Sequence, residues 1–316
     1  MGIELVCATY NGAAYLTEQL ASLVAQTHTG WRLWVRDDGS VDGTVQLLRE
    51  WAGRDERIVL VEDEGARLGA AGSFARLWEG APVGARYLGF VDQDDVWVPE
   101  KLERSLAAMR EAERLHGDTT PILVHSDLSV VDSALRPVAP SFRAYAGLGA
   151  LEAPLPERVA HNVVTGCTVL VNRALREAAG PIPDGVMHDA WLACVATAVG
   201  RTVYLPQPLV AYRQHGANAI GARGAPAPLS RAMWRALFPW RARQAVVRRH
   251  VAAAARLAQA LLPRLGGHLS SHTKRQLMRM ATIPHLPLAA RKVALWQCMR
   301  VPSRGWLHHL GLVLRG

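Results

Sequence analysis

Three carboxylates crowd the stretch Asp92-Gln93-Asp94-Asp95, directly after the apolar run Tyr87-Leu88-Gly89-Phe90-Val91. Like charges this close raise one another's pKa, and a divalent cation removes the conflict while keeping every oxygen ionised. A cation held by two or so acids keeps positions open for water and phosphate oxygens, which is how Mg2+ or Mn2+ meets a nucleoside diphosphate. The competing reading is a solvated acidic turn ahead of a helix that begins near Pro99.

Two further clusters share this placement. A strand over residues 3–8 ends at Ala8-Thr9-Tyr10-Asn11-Gly12, and one over 31–35 ends at Arg36-Asp37-Asp38-Gly39-Ser40. In an open α/β sheet, ligands bind outside the carboxyl ends of parallel strands, so all three clusters fall on one edge. A carboxylate of Asp37 or Asp38 accepts the imide N–H of uracil or thymine, and Thr9, Tyr10 and Asn11 line the base and ribose. Asp-Gly-Ser is equally a common turn, so the order of the motifs carries more than any one of them.

The elements needed to hold these tips are visible. Helical spacing marks 13–26 (Leu16, Leu20, Leu23), a helix opening at Asp42-Gly43-Thr44, one over 73–78 and one over 99–115. Strands are expected at 58–61, 87–91, 122–125 and 128–131. A glycine-containing link at Gly65 and Gly69 precedes the third helix. Residues 133–160, rich in Pro, Gly and Ala, read as a loop over the site. Then come a strand region over 163–171, a helix over 188–199, and strands at 203–205 and 209–212. The alternation predicts a doubly wound, mainly parallel α/β sheet.

Asp189 is the last acidic residue. Residues 1–189 hold all 27 acids, whereas residues 190–316 hold 19 of the 36 Lys and Arg and no acid. Such a tail seeks polyanions, either anionic lipid headgroups or nucleic acid. The linker at 221–228 divides the chain into a catalytic domain over 1–222 and a basic helical region over 223–316. Within the latter, Val247, Val251, Ala254, Ala258 and Leu261 form one stripe, and Trp234, Phe238 and Trp240 interleave with Arg235, Arg241 and Arg243. Both a helix lying in a membrane interface and an appendage packed on the catalytic domain fit this pattern. Four scattered cysteines without metal spacing, no leader-like start and no long apolar span predict a reduced, cytoplasmic protein that is soluble or peripheral at the membrane.

The ordered set Ala8–Gly12, Arg36–Ser40, Asp92–Trp97, Asn162-Val163-Val164-Thr165-Gly166-Cys167, His188-Asp189 and Tyr212-Arg213-Gln214-His215-Gly216 resembles bacterial family-2 glycosyltransferases of the GT-A fold, nearest a rhamnosyltransferase-like branch. The resemblance covers roughly residues 3–220. It implies an inverting transferase that moves a sugar from a nucleotide-diphosphate donor to a lipid-linked or polysaccharide acceptor at an anionic inner membrane surface. L-Rhamnose is the first donor sugar implied, a uridine-diphosphate hexose the second. Asp189 becomes the base that takes the acceptor proton, with an N-cap role as its rival.

The same likeness assigns the metal to Asp94 or Asp95 or both, with Asp92 beside the ribose or water, His215 on the metal or the diphosphate, and Arg213 pairing with phosphate oxygens. Thr165 and Gly166 fall beneath a bound sugar. Where the branch carries an aromatic directly after His-Asp, this chain has Ala190 and then Trp191. A nucleotidyltransferase needs a cationic Gly-rich loop after its first strand, and residues 9–14 contain no Lys or Arg. A binding module whose tail holds nucleic acid is the remaining alternative and the less favoured partner.

Overall fold

Tyr87–Val91 is buried at every position, so this strand lies inside the sheet with both faces covered. The computed structural model describes residues 2–62, 67–216 and 240–298. Among them, nine strands form one sheet in the order β3-β2-β1-β4-β8-β6-β9-β5, with β7 added on β6. Its parallel half consists of β1 (Ile3–Thr9), β2 (Trp31–Asp37), β3 (Ile58–Leu60) and β4 (Tyr87–Val91). The other half is mixed. β8 (Leu170–Asn172) runs antiparallel to both β4 and β6 (Ile122–Asp132), β9 (Arg201–Gln214) runs parallel to β6, and the short β5 (Val96–Trp97) returns antiparallel to β9. The parallel winding read from the sequence therefore holds for the half that carries the acidic tips.

The helices α1 (Ala13–Val24), α2 (Thr44–Arg54), α3 (Gly69–Gly80) and α4 (Lys101–His116) follow the predicted order. Leu16, Leu20 and Leu23 are fully buried, as the i, i+4, i+7 spacing requires. Two expected strand pairs prove to be single long strands, β6 and β9, whose pairing shifts register around Ser126 and Asp127 instead of ending there.

The expected loop over 133–160 contains β7 (Pro137–Ala139), α5 (Phe142–Ala146) and α6 (Leu155–Ala160). Leu155, Val159 and Ala160 of α6 are core residues, so this segment is not merely a cover. Next come α7 (Arg173–Ala179) and α8 (His188–Val199), the latter with the predicted bounds.

The C-terminal described part forms α9 (Trp240–Leu265), α10 (Ser271–Thr282) and α11 (Leu288–Cys298). Val251, Ala254, Ala258 and Leu261 are buried in the same cluster as Val159 of α6 and Leu192 and Val195 of α8. The apolar stripe of α9 is thus spent on the catalytic part, and the packed-appendage alternative is the one realised here. The boundary at residue 222, the linker at 221–228, Gly65, Trp234, Arg235, Phe238 and the side chains of Trp240, Arg241 and Arg243 lie outside the described residues.

Candidate active site

β1, β2 and β4 are adjacent and parallel, with Thr9 opposite Asp37 and Cys7 opposite Val91. Asp37 and Asp92 therefore emerge at one edge, as expected for ligand binding at the carboxyl ends of such strands. The Asp37 carboxylate accepts from Thr9 Oγ1 at 2.9 Å, Ser40 Oγ at 2.6 Å and the amides of Gly39 and Ser40. It shapes the turn while staying half-buried at the surface. Thr9 is itself buried and serves Asp37 rather than lining a ligand.

Asp38 departs from the sequence expectation. It is turned inward, accepting from Arg36 at 2.7 Å, Ser73 Oγ, and the amides of Leu68 and Gly69 at 2.7 and 2.8 Å. Burial pushes its carboxyl upward, but these hydrogen bonds outweigh it and hold the group below the ordinary carboxylate range. Asp38 thereby fixes the start of α3, including Gly69 at φ 68°, and has no capacity left for a base.

The loop after β1 is fastened from two sides. Asn11, at φ 46°, receives the Val41 amide on its side-chain oxygen while its own amide donates to Ser40 Oγ. Gln93 reaches across to accept from the Tyr10 amide at 2.8 Å and to donate to the Tyr10 carbonyl at 3.1 Å. A Cβ on Gly12 would lie 2.3 Å from the Gln93 side-chain oxygen, so the glycine makes room for this clamp. Tyr10 remains exposed, with the Arg67 guanidinium 4.0 Å above its ring. Gln93 and Arg67 are site residues the sequence reading passed over. Gln93 stood inside the acidic motif, whereas nothing in the sequence points Arg67 at Tyr10.

Beyond β4, the three acids occupy different places. Asp94 lies 2.8 Å from His215 Nε2, and the His215 ring stacks on Tyr15 at 4.4 Å. Asp92 is half-buried, and its carboxyl is pushed up by burial first and then by the charges of Asp94 and Asp189. Asp95 is fully buried beneath them, with one oxygen accepting from the Arg213 amide at 3.1 Å and the other without a hydrogen bond. One ligand atom each from Asp92, Asp95 and Cys167 falls within 4.8 Å of the others.

Arg213 is likewise buried and braces the strand tips. Its guanidinium donates to the Asp94 carbonyl at 2.8 Å, to the Ser133 carbonyl at 2.7 Å and to Glu18, and it sits over Tyr15. These bonds take the donors that the sequence reading had given to phosphate.

Asp189 sits in the first turn of α8, whose N-cap is Met187, so it is not the cap residue itself. Its carboxylate accepts from the Ala190 amide at 2.7 Å. Burial raises its pKa to about 6, opposed by amide hydrogen bonds and one from Asn162. The Asp189 charge also acts on Asp92, so the start of α8 lies close to the acidic tip of β4.

Gly166 has a different reason from the one expected. The buried His188 ring, stacked on Phe90 at 4.2 Å and beside Phe74 at 4.3 Å, lies under it, and a Cβ at 166 would come 2.3 Å from His188 Nε2. Gly166→Ala therefore overpacks the contact with His188, the residue before Asp189. It is expected to cost about 1–3 kcal/mol in urea unfolding and to lower turnover with it; an unchanged midpoint would contradict the contact. Thr165 is half-buried. Trp191 is buried in the core and offers no aromatic face to a ligand, which leaves Ala190 where the resembling branch has an aromatic.

Comparison with known proteins matches residues 5–130 to Glycosyl transferase family 2. Residues 5–130 are a family 2 glycosyl transferase domain. The domain spans β1 to β6 and so contains the tips just described, while Asp189 and His215 lie downstream. The chain is 30% identical over 172 residues to TuaG of Bacillus subtilis, covering 54% of this chain and 62% of TuaG. It is 34% identical over 107 residues to WfgD of Escherichia coli, named UDP-Glc:alpha-D-GlcNAc-diphosphoundecaprenol beta-1,3-glucosyltransferase, covering 34% of this chain and 40% of WfgD. With RfbG of Shigella flexneri, named a dTDP-rhamnosyl transferase, it shares 24% identity over 226 residues, 68% of this chain and 73% of RfbG. The chain thus spans less than two thirds of the first two relatives. In fold it is similar to S. aureus TarS 1-349, solved with UDP-GlcNAc, at a TM-score of 0.58 and 18% identity, covering 96% of this chain and 82% of that one. The transferase domain therefore has the GT-A architecture with helices added at its C-terminal side.

The donor set suits a hard divalent ion. Asp92 and Asp94 could supply carboxylate oxygens and His215 an imidazole, and positive charge would relieve the crowding that raises Asp92. Asp95 is the most deeply buried of the three acids but groups with Asp92 and Cys167, whereas Asp94 pairs with His215 nearer the surface.

Proposed function

We propose that this chain is an inverting, metal-dependent glycosyltransferase that moves a sugar from a nucleotide diphosphate to a hydroxyl of a lipid-linked or polysaccharide acceptor in cell-surface glycan synthesis. The observation that carries it is the gathering of acids at one sheet edge, where Asp92 at the tip of β4 feels the charges of both Asp94 and Asp189, and Asp92 and Asp189 both have raised pKa values. Asp189 takes the proton of the acceptor hydroxyl as its oxygen bonds to the sugar C1. The C1–oxygen bond to the diphosphate breaks on the opposite face, and its electron pair leaves with the phosphate.

Mg2+ or Mn2+, held by Asp92, Asp94 and His215, would neutralise charge on that leaving group. In this reading Asp37, held by Thr9, and Tyr10, covered by Arg67, take the nucleobase and ribose. The fastened loops keep these groups in place, so little ordering remains to be done when donor binds. For the sugar, L-rhamnose on a deoxythymidine diphosphate is the first choice, supported by the likeness to RfbG over 68% of the chain. A uridine-diphosphate hexose comes second, supported by the likeness to WfgD.

A thermal-shift screen of nucleotide diphosphates and nucleotide sugars with Mn2+ tests the reading. Stabilisation by dTDP or UDP sugars that requires the ion is the expected result, about 2.7 kcal/mol at a hundredfold excess over Kd. Response to nucleoside triphosphates but not to diphospho-sugars would point to nucleotidyl transfer instead.

A further inference from the structure

Residues 240–298, the span of α9–α11, contain eleven Lys and Arg, no Asp or Glu, and two aromatics besides histidine, Trp240 and Trp296. The apolar side of α9 is consumed against α6 and α8, and Leu277, Met280 and Ala281 of α10 are buried in the same cluster. What remains outward is cationic. Arg248 and Arg249 of α9 are exposed on the face opposite the stripe, and His272, Arg275 and Arg279 share the exposed face of α10. Between them stand single exposed aliphatic side chains, Val246, Met278 and Val293.

We propose that this outer face of α9–α11 is an electrostatic docking surface for an anionic lipid bilayer, one that binds by charge without inserting the amphipathic stripe. Each cation near such a surface contributes independently, and a face without carboxylates repels nothing in the headgroup layer. A single-stranded nucleic acid is the poorer fit, because its bases require a row of aromatic platforms and α9–α11 hold only Trp240 and Trp296, at their outer ends. The exposed aliphatics suit the boundary between headgroups and acyl chains.

The surface is also joined firmly to the site. Arg264 of α9 donates to the carbonyls of Glu177 and Ala178 at the end of α7, and α9 packs on α8, whose first turn holds Asp189. A bilayer bound there would be linked through α9 to the helix that carries the proposed base. On a cytoplasmic protein this means the inner leaflet.

The docking surface does not depend on the sugar-transfer reading, since binding to vesicles is measured without donor. Full-length protein is sedimented with vesicles of phosphatidylcholine alone and of equal parts phosphatidylcholine and phosphatidylglycerol. Binding to the anionic vesicles only, released by added salt, is expected. The combined variant Arg248→Gln, Arg249→Gln, Arg275→Gln, Arg279→Gln should weaken partitioning by at least about a hundredfold while leaving the melting temperature in place. Equal binding to neutral vesicles, undiminished binding of the variant, or tighter retention on a single-stranded oligonucleotide than on anionic vesicles at the same salt would each overturn the proposal.

Discussion

Asp189→Asn is expected to lower the rate of transfer by about 10²–10⁴-fold while leaving donor affinity within about twofold, because a positioned general base contributes on that scale. Asn keeps the shape of the side chain and still accepts from the Ala190 amide, but it takes no proton from the acceptor. Rates come from product formation with saturating donor, and affinity from the thermal shift with donor alone. An equal loss of donor affinity would assign Asp189 to binding instead. The acid limb of the wild-type profile reports the same group. Asp189 acts only when ionised, so turnover should fall as pH drops through about 6 when metal is limiting. Saturating metal adds positive charge to the cavity and should move that limb to lower pH.

The second large effect concerns the ion. Asp94→Ala should abolish turnover together with the metal-dependent part of the thermal shift, since Asp94 is the acid paired with His215. Activity that persists in EDTA would remove the metal from the account. The pH dependence of metal binding has a definite sign. Asp92, Asp95 and Asp189 all have raised pKa values, by burial first and by neighbouring charge for Asp92 and Asp95. Between the ordinary carboxylate pKa and these raised values the folded chain holds more protons than the unfolded one, so without metal these groups cost stability as pH rises. A divalent cation stabilises their ionised forms. The gap in melting temperature between Mn2+ and EDTA should therefore widen from about pH 5 to about pH 8 in the wild type and stay flat in Asp94→Ala. A gap that narrows with rising pH would contradict the assignment.

How far the sequence showed this arrangement depends on the kind of contact involved. β4 was legible to the residue because an unbroken apolar run followed by acids has one reading in a parallel sheet, and α8 because its helix is bounded by His188 and Gly200. The clusters after β1, β2 and β4 share an edge because strand direction alone puts them there. Residues whose partners are distant in sequence were less legible. Arg213 and Asp38 look like site groups in one dimension, yet Glu18 and Ser133 claim the first and Leu68, Gly69 and Ser73 claim the second.

Gly166 was noticed for its small size, but its neighbour His188 appears only once α8 is docked. The bulged centres of β6 and β9 read as gaps because hydrophobic periodicity breaks at Asp127 and Pro208 while the pairing continues through them. For α9, amphipathicity left a membrane and a protein surface equally suitable. The cavity walls of α6 and α8 supplied the answer.

The most direct test is a crystal structure with Mn2+ and a slowly turned-over diphospho-sugar. The prediction is an ion between Asp94, His215 and the diphosphate, with the Asp189 carboxylate facing the sugar C1 from the side opposite the phosphate. A donor bound with Asp189 turned away from C1, or on the same side as the leaving group, would contradict inversion by this base and with it the central claim.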